Sequence, residues 1–213
     1  MIIPLRTRFH GYESDPVYLT AASIDKISAE VSRETSQFDG DLNLGRRLWN
    51  KALMEMAPEK IQYPDANSTM RLSYGTIQDY DPRDGVTYKY YTTLRGVMEK
   101  YKPGDYEFDI PQRLIDLYNK KEFGRYGSKN GYMPVGFLTT NDITGGNSGS
   151  PVMNENGELI GLAFDGNWES MSGDIAYESE LQRTIVVDIR YVLWIMDIYA
   201  GAKHLVDEMT VVQ

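Results

Sequence analysis

Cysteine is absent from the 213 residues of this sequence, and histidine occurs only twice, as His10 and His204. The lack of cysteine excludes disulfides, catalysis by a thiolate and metal sites with cysteine ligands. It is compatible with either an oxidising or a reducing compartment. A serine nucleophile that needs a histidine base therefore has only two candidates within the chain.

Long apolar runs and clusters of positive charge are also lacking. The longest apolar stretch, residues 191–200, is interrupted by Asp197 and is too short to cross a bilayer. Residues 1–20 show no basic start followed by an apolar run, so no signal peptide is expected there. The net charge is −9, and no cluster of Lys and Arg is present that could contact the successive phosphates of a nucleic acid. Both features argue against nucleic-acid binding. The composition, 41% hydrophobic and 25% charged, is that of a globular protein.

The pattern of apolar residues changes near residue 60. Before this point, residues 24–31 lie in a polar stretch that contains alanine, and apolar residues recur every four positions over residues 44–56. This spacing places the apolar side chains on one helical face. The sequence therefore predicts core helices, with Asp41 or Asn43 as the cap of the second helix and Pro58 marking its end.

Beyond residue 63, apolar and polar residues alternate, which is typical of strands. The turn-forming residues 81–85 separate two of these alternating segments. Pro111 opens a short helix, and a last helix has Asp188 as its cap and Gly201 as its stop. The predicted strands comprise residues 70–74, 86–90, 135–140, 151–153, 158–164 and 183–187.

A glycine-rich segment contains the most informative residue of the chain. In Gly146-Asn147-Ser148-Gly149-Ser150-Pro151, glycines flank a serine, so its hydroxyl can be exposed while nearby N–H groups turn toward one point. The oxyanion of acyl transfer needs such groups. An isolated Gly-x-Ser-Gly is more often a simple turn, but this segment continues into a predicted β-hairpin. Ser148 is therefore the candidate nucleophile, with the backbone of Gly146 in the oxyanion hole.

Five longer motifs follow one another along the chain. They comprise residues 63–72, 103–109, 141–151, 164–169 (Phe164-Asp165-Gly166-Asn167-Trp168-Glu169) and 187–193. In this order they resemble the bacterial dipeptidyl-peptidase 7 and 11 family of chymotrypsin-like serine exopeptidases. The resemblance implies the C-terminal part of a longer enzyme, with a mainly β fold that also contains α-helices. Residues 1–62 would be the end of an inserted helical domain, and residues 63–213 the second β-barrel of a double barrel, with a terminal helix.

The resemblance places the histidine and aspartate of the catalytic triad in a first barrel. His10 lies 138 positions before Ser148, a separation that the order His, Asp, Ser of chymotrypsin-like enzymes allows. However, residues 24–56 between them are predicted to be helical, so a first barrel does not fit there. His204 follows the predicted last helix, where a histidine interacts with the helix dipole. The base and its aspartate are therefore expected outside this chain, and the chain alone is predicted to be inactive.

The resemblance also assigns substrate contacts to the strand after the hairpin. It implies that Phe164 lies beside the bound peptide and that Asp165 holds the free α-ammonium. Gly166 would leave the specificity pocket open for a bulky apolar second residue, as in the dipeptidyl-peptidase 7 branch, whereas the acid-specific branch carries arginine there. Asp142 stands six positions before Ser148, where trypsin has the aspartate that selects Lys or Arg. Because both branches carry it, Asp142 is interpreted as structural.

No metal or organic cofactor is implied by these motifs. The carboxylates of Asp105, Glu107 and Asp109 alternate along the chain but lack the glycine and closing glutamate of an EF-hand loop. The expected partners are peptides with free N-termini, with a homodimer as an allowed assembly, and neither nucleic acid nor a membrane span. The resemblance implies a periplasmic or cell-surface location in a Gram-negative bacterium.

Two alternative functions stay open at the level of the sequence. One is a complete small endopeptidase of the trypsin-like kind, in which His10 is the base for Ser148. The other is a non-catalytic pseudo-peptidase that binds peptide N-termini through Asp165. A recognisable first barrel would favour the endopeptidase. The length of the parent open reading frame would distinguish these two hypotheses from the hypothesis of a C-terminal part of a dipeptidyl-peptidase.

Overall fold

The computed structural model describes residues 11–60, 68–173 and 175–212. Two compact units make up the chain, Met1–Thr69 and Met70–Gln213. The first unit is helical in its described part, and the second is an antiparallel sheet with helices. None of the described helices is both long and apolar enough to cross a membrane. The assignment of the two units to the domains of a longer enzyme stays a prediction.

The first unit contains two long helices, α1 (Pro16–Thr35) and α2 (Asp39–Met56). Asp15 caps α1, because its carboxylate accepts hydrogen bonds from the backbone N–H groups of Val17 and Tyr18 at 2.8 and 3.1 Å. None of the residues in either helix is buried. Their predicted burial as core helices is therefore wrong within the described part of this unit, although the predicted helices themselves are confirmed.

The predicted cap of α2 is also wrong. The helix begins at Asp39, directly after a 3₁₀ turn over Ser36–Phe38, and no side chain caps it. The chain therefore enters α2 from a helical turn, which leaves no extended residue at which Asp41 or Asn43 could act as a cap. Both Asp39 and Asp41 lie in the first turn, where a carboxylate is favourable to the helix dipole.

The second unit is built on a five-stranded antiparallel sheet with the strand order β3-β4-β7-β6-β5. A separate two-stranded sheet pairs β1 with β2. The strands are β1 (Tyr80–Arg83), β2 (Val86–Tyr88), β3 (Tyr91–Thr93), β4 (Pro134–Thr139), β5 (Pro151–Met153), β6 (Leu159–Gly166) and β7 (Thr184–Asp188). The predicted hairpin is confirmed as the antiparallel pair β5 and β6.

The predicted closed barrel is not found among the described residues. The sheet stays open, because its edge strands β3 and β5 are only three residues long and do not pair with each other. The predicted strand over residues 70–74 is also wrong, because this segment pairs with no strand in the part of the chain that the structure describes. Its apolar side chains Met70, Leu72 and Tyr74 are exposed, and the nearest ladder contact is a single bridge between Ile77 and Thr139.

The predicted turn over residues 81–85 is shorter than expected. Residues Asp81 to Arg83 belong to β1, and only Asp84 and Gly85 form the turn, with Gly85 at a φ of 75°. Pro82 is tolerated inside β1 because this strand has a partner on one side only.

Helices and the segments that connect them supply the buried hydrophobic cluster of the second unit. The helices are α3 (Leu94–Glu99), α4 (Gln112–Lys120), α5 (Ile189–Trp194) and α6 (Lys203–Asp207). The completely buried Trp194 lies at the centre of this core, and its indole Nε1 donates to the carbonyl of Glu122 at 2.9 Å. Burial of such a side chain contributes about 1.5–3 kcal/mol.

The end of the chain follows the predicted order with one correction. Asp188 caps α5 as predicted, since its carboxylate accepts from the backbone N–H of Arg190 at 2.9 Å. The helix continues as a π-helical turn over Ile195–Tyr199, and Gly201 follows it at a φ of 69°. The prediction that His204 lies beyond the last helix is wrong. It lies inside α6, because the chain resumes a helix two residues after Gly201.

Candidate active site

The serine loop connects β4 with β5 and is held by its own backbone and by one asparagine. Gly146 and Gly149 adopt φ values of 97° and 81°, in the left-handed region that favours glycine. The side-chain oxygen of Asn147 accepts from the backbone N–H of Thr144 at 2.9 Å. In return, the N–H of Asn147 donates to the carbonyl of Thr144 at 3.2 Å. Asn147 thus closes the loop on the side before Ser148.

Two backbone hydrogen bonds attach the loop to β6 on the side after Ser148. The N–H of Gly149 donates to the carbonyl of Ala163 at 2.7 Å, and the N–H of Ala163 donates to the carbonyl of Ser150 at 2.9 Å. The hydroxyl of Ser148 itself donates to the carbonyl of Phe164 at 3.3 Å. Ser148 is exposed at this point. Its position is therefore fixed by hydrogen bonds to β6, while the residue itself stays exposed.

The hydrogen bonds of the loop leave the N–H groups of Gly146 and Ser148, as well as that of Gly145, without an acceptor among the described residues. The N–H groups of Asn147, Gly149 and Ser150 all donate within the loop or to β6. Over residues 11–60, 68–173 and 175–212, no carbonyl or side chain accepts from the N–H of Gly146 or Ser148. A pair of unused backbone donors beside a serine hydroxyl is what an oxyanion hole requires.

A cavity of about 270 Å³ opens beside Ser148. Two segments and three further residues line it. The first segment is the serine loop, with residues 141–145 and Ser148, and the second comprises residues 165–167, 170, 171 and 173. The further residues are Tyr177, Gln182 and Thr184. The hydroxyl of Thr184 donates to the carbonyl of Asn141 at 2.7 Å and so joins β7 to the first of these segments. The cavity therefore lies between the serine loop and the end of β6.

The electrostatic character of the cavity is acidic. Asp142 and Asp165 both line it, and the described part of the lining contains no Lys, Arg or His. Burial, together with the nearby negative charge of Asp142, raises the pKa of Tyr177, whose hydroxyl donates to the carbonyl of Thr140. The backbone carbonyl of Asp142 accepts from the hydroxyl of Ser73 at 2.8 Å. Asp142 thus contributes to the cavity wall, and its backbone carbonyl attaches the serine loop to the segment that contains Ser73.

The three residues proposed to contact substrate occupy different positions at the end of β6. The pairing with β7 shifts by one residue between Ala163 and Asp165, so Phe164 forms a β-bulge. Phe164 does not line the cavity, and its side chain is 61% exposed. Asp165 and Gly166 do line it. One oxygen of the Asp165 carboxylate, Oδ1, accepts from the N–H of Gly166 at 2.8 Å, which leaves Oδ2 for another donor.

Neither histidine is placed as a base for Ser148 by the described structure. His10 lies outside the described residues. His204 lies in α6 and is not among the residues that line the cavity. Within the described part of the chain, the serine hydroxyl thus has a carbonyl as its partner and no imidazole.

Two residues of this region were missed by the sequence analysis, Asn167 and Ser170. Asn167 is buried, and its side-chain oxygen accepts from the hydroxyl of Ser170 at 2.5 Å and from the N–H of Arg183 at 2.8 Å. Ser170 lies in a 3₁₀ helix over Trp168–Ser172 that follows β6 directly. An Asn immediately after a strand, three positions before a Ser, is the one local signal that could have indicated this turn.

Comparison with known proteins places the chain among the peptidases. The model of the peptidase S46 family matches residues 5–211. The chain therefore belongs to the peptidase S46 family. This result confirms the resemblance to the dipeptidyl-peptidase 7 and 11 group that the motifs indicated.

Three relatives illustrate the match. Dipeptidyl-peptidase 7 of Phocaeicola vulgatus is 53% identical over 94% of this chain and 28% of its own length. The Asp/Glu-specific dipeptidyl-peptidase of Capnocytophaga gingivalis is 56% identical over 79% of this chain and 24% of its own length. The crystal structure of Porphyromonas endodontalis DPP11 in complex with dipeptide Arg-Glu has a TM-score of 0.82 and 46% identity, over 91% of this chain and 28% of that one.

The chain thus spans only about a quarter to 28% of the length of these relatives. The two kinds of dipeptidyl-peptidase are similar to it to nearly the same degree. A choice between them therefore depends on the residues of the cavity and not on overall identity.

Proposed function

We propose that this chain is the C-terminal part of a serine dipeptidyl-peptidase. The parent protein, meaning the full-length polypeptide that contains this chain, releases dipeptides from free peptide N-termini and prefers an apolar second residue. The observation that carries the proposal is the position of Ser148. Ser148 is exposed and lines a cavity that Asp165 also lines, and within the described residues neither the N–H of Ser148 nor that of Gly146 has an acceptor.

Ser148 is the nucleophile in this proposal. Its hydroxyl oxygen attacks the carbonyl carbon of the bond to be cleaved, its proton passes to a histidine from elsewhere in the parent protein, and the leaving amine receives that proton. The carbonyl oxygen becomes an oxyanion that accepts from the N–H groups of Gly146 and Ser148. Water then releases the dipeptide from the serine ester.

Asp165 is the residue that determines the length of the released peptide. Its free Oδ2 accepts a charge-assisted hydrogen bond from the α-ammonium of the peptide. Because Asp165 and Ser148 belong to the same hydrogen-bonded frame, the distance between the ammonium and the attacked carbonyl is fixed. Cleavage therefore occurs after the second residue.

The cavity favours a neutral second residue over an acidic one. A substrate carboxylate would meet the carboxylate of Asp142, and no cation in the described lining would compensate the added negative charge. Ile143 and Met171 supply apolar surface to the wall. We therefore assign the parent protein to the dipeptidyl-peptidase 7 type and not to the Asp/Glu-specific type.

The test of the nucleophile is labelling of the parent protein with a fluorophosphonate, followed by peptide mapping. The proposal predicts a single modified residue, Ser148, and no labelling of Ser148→Ala. Ser150→Ala is the matched control, since it changes a neighbouring serine of the same loop and keeps the label. Modification at another residue, with Ser148→Ala still active, contradicts the proposal.

The second-residue preference is tested with dipeptidyl substrates that carry Leu, Phe, Asp, Glu, Lys or Arg at that position. We expect kcat/KM to be highest for Leu and Phe. Asp142→Asn should raise kcat/KM for Asp and Glu relative to Leu, because it removes the negative charge of Asp142 from the cavity wall. A clear preference for Lys or Arg that disappears in Asp142→Asn would show that Asp142 selects a basic residue instead.

Location and assembly complete the proposal. The family resemblance supports a periplasmic or cell-surface location, which fractionation of the native bacterium would test. A homodimer of the parent protein is the proposed assembly, which the mass measured by light scattering would test.

A further inference from the structure

Ser170 occupies the space that a side chain at position 166 would need. A Cβ built on Gly166 would lie 2.9 Å from Ser170 Cβ and 3.3 Å from Ser170 Oγ. Two carbon atoms do not approach to 2.9 Å without a shift of one of them. Gly166 is not among the residues with positive φ, so its backbone conformation suits any residue. The side chain of Ser170 is therefore what excludes a larger residue at position 166.

Ser170 is not free to move out of the way. Its hydroxyl donates to Asn167 Oδ1 at 2.5 Å and to the carbonyl of Arg183 at 3.3 Å. Its backbone N–H donates to the carbonyl of Asn167 at 2.9 Å. A displacement of Ser170 would thus break hydrogen bonds to groups that are removed from water, and unsatisfied buried groups are costly.

The partners of Ser170 are themselves fixed. Asn167 pairs with Arg183 through two further hydrogen bonds, one in each direction. Arg183 is 1% exposed, and its guanidinium donates to four backbone carbonyls, those of Asp79, Ser179, Glu180 and Gln182. The 3₁₀ helix that carries Ser170 is therefore anchored to Arg183, the residue before β7, and through Arg183 to the segment before β1.

We propose that Ser170 is a specificity-determining residue of the cavity and is coupled to position 166. It forms the wall that faces Gly166, so it sets the room available to the second residue of the peptide. It also determines which residues position 166 can accept. This inference rests on the proposed function, in which the cavity beside Ser148 receives that second residue.

The coupling is tested first by stability, which does not depend on peptidase activity. Gly166→Ala should lower the Tm of the parent protein, because the new Cβ meets Ser170. Ser170→Gly removes the carbon that the new Cβ would meet. The decrease in Tm of the double variant should therefore be smaller than the sum of the decreases in the two single variants. Ser170→Ala keeps that carbon and should give no such compensation.

Ser172→Gly is the matched control, since it introduces glycine into the same 3₁₀ helix at a position that is not in contact with the Cβ built on Gly166. Additive changes in Tm for Gly166→Ala and Ser170→Gly would overturn the coupling. This outcome would leave the assignment of Ser148 as nucleophile untouched, so the two failures are distinguishable.

The specificity is tested by kcat/KM for substrates with Ala, Leu or Phe at the second position. Ser170→Val narrows the cavity and should lower the Phe-to-Ala ratio by about tenfold or more, as expected for added methyl groups in a pocket. Ser170→Gly should raise the same ratio. A loss of kcat/KM that is equal for all three substrates would indicate a merely structural role and would overturn the proposal.

Discussion

The N–H of Gly149 and the carbonyl oxygen of Ala163 form a hydrogen bond of 2.7 Å across the serine loop and β6. This contact joins the residue after Ser148 to the residue before Phe164. A return bond from the N–H of Ala163 to the carbonyl of Ser150 makes it a short ladder. Ser148 and Asp165 therefore belong to one rigid frame, although 17 positions separate them in the sequence.

Asn147 should be replaceable by aspartate but not by alanine. Its side-chain oxygen accepts from the N–H of Thr144, and an aspartate keeps such an acceptor whereas an alanine does not. Loss of one hydrogen bond costs about 0.5–1.5 kcal/mol, so Asn147→Ala should lower kcat/KM by roughly 2- to 13-fold in the parent protein. Asn147→Asp should stay close to the original value. Equal losses in the two variants would show that this hydrogen bond does not shape the loop.

The 213-residue chain by itself should not hydrolyse dipeptidyl substrates. His204 lies in α6 and does not line the cavity, and the described residues from 11 to 60 form helices and no strand of a first barrel. A serine without its base keeps only residual catalysis, about 10⁴-fold or more below the intact triad. The measurement compares turnover by the chain and by the parent protein. Turnover by the chain that disappears in His10→Ala would instead favour a small complete endopeptidase.

Asp188 should contribute to stability through its cap on α5. The residue is 5% exposed, it accepts from the N–H of Arg190, and it forms an ion pair with the Arg190 guanidinium at 2.6 Å. We expect Asp188→Ala to lower the free energy of unfolding by about 1–3 kcal/mol, through loss of both the cap and the buried hydrogen bonds. Asp188→Asn keeps the cap and should lose less. Urea denaturation of the parent protein measures the free energy of unfolding of both variants. A larger loss in Asp188→Asn than in Asp188→Ala would contradict the role of Asp188 as a stabilising cap.

Local patterns in the sequence were sufficient for the elements that depend on neighbours along the chain. The four-residue spacing over residues 44–56 predicted α2, and Asp188 was recognised as the cap of α5. The hairpin of β5 and β6 was predicted because its turn residues lie between two apolar runs. These features depend on backbone propensities within a few residues.

The features that depend on distant partners were not predictable in the same way. The alternation over residues 70–74 indicated a strand, but a strand also needs a partner, and the structure provides only the bridge at Ile77. The short distance from Ser170 to a Cβ built on Gly166 depends on the 3₁₀ helix that follows β6, and this helix is held by Arg183. No short motif contains all of these residues, so the role that we propose for Ser170 could only be inferred from the three-dimensional structure.

The most direct test of the account compares substrates with a free and an acetylated N-terminus, in the parent protein and in its Asp165→Asn variant. In the unchanged protein, acetylation removes the ion pair to Asp165, and kcat/KM should fall by roughly 30-fold to several thousand-fold, equivalent to about 2–5 kcal/mol. In Asp165→Asn, the free and acetylated substrates should be cleaved at similar, low rates. Equal cleavage of both substrates by the unchanged protein would contradict the assignment of this chain to a dipeptidyl-peptidase that recognises the N-terminus through Asp165.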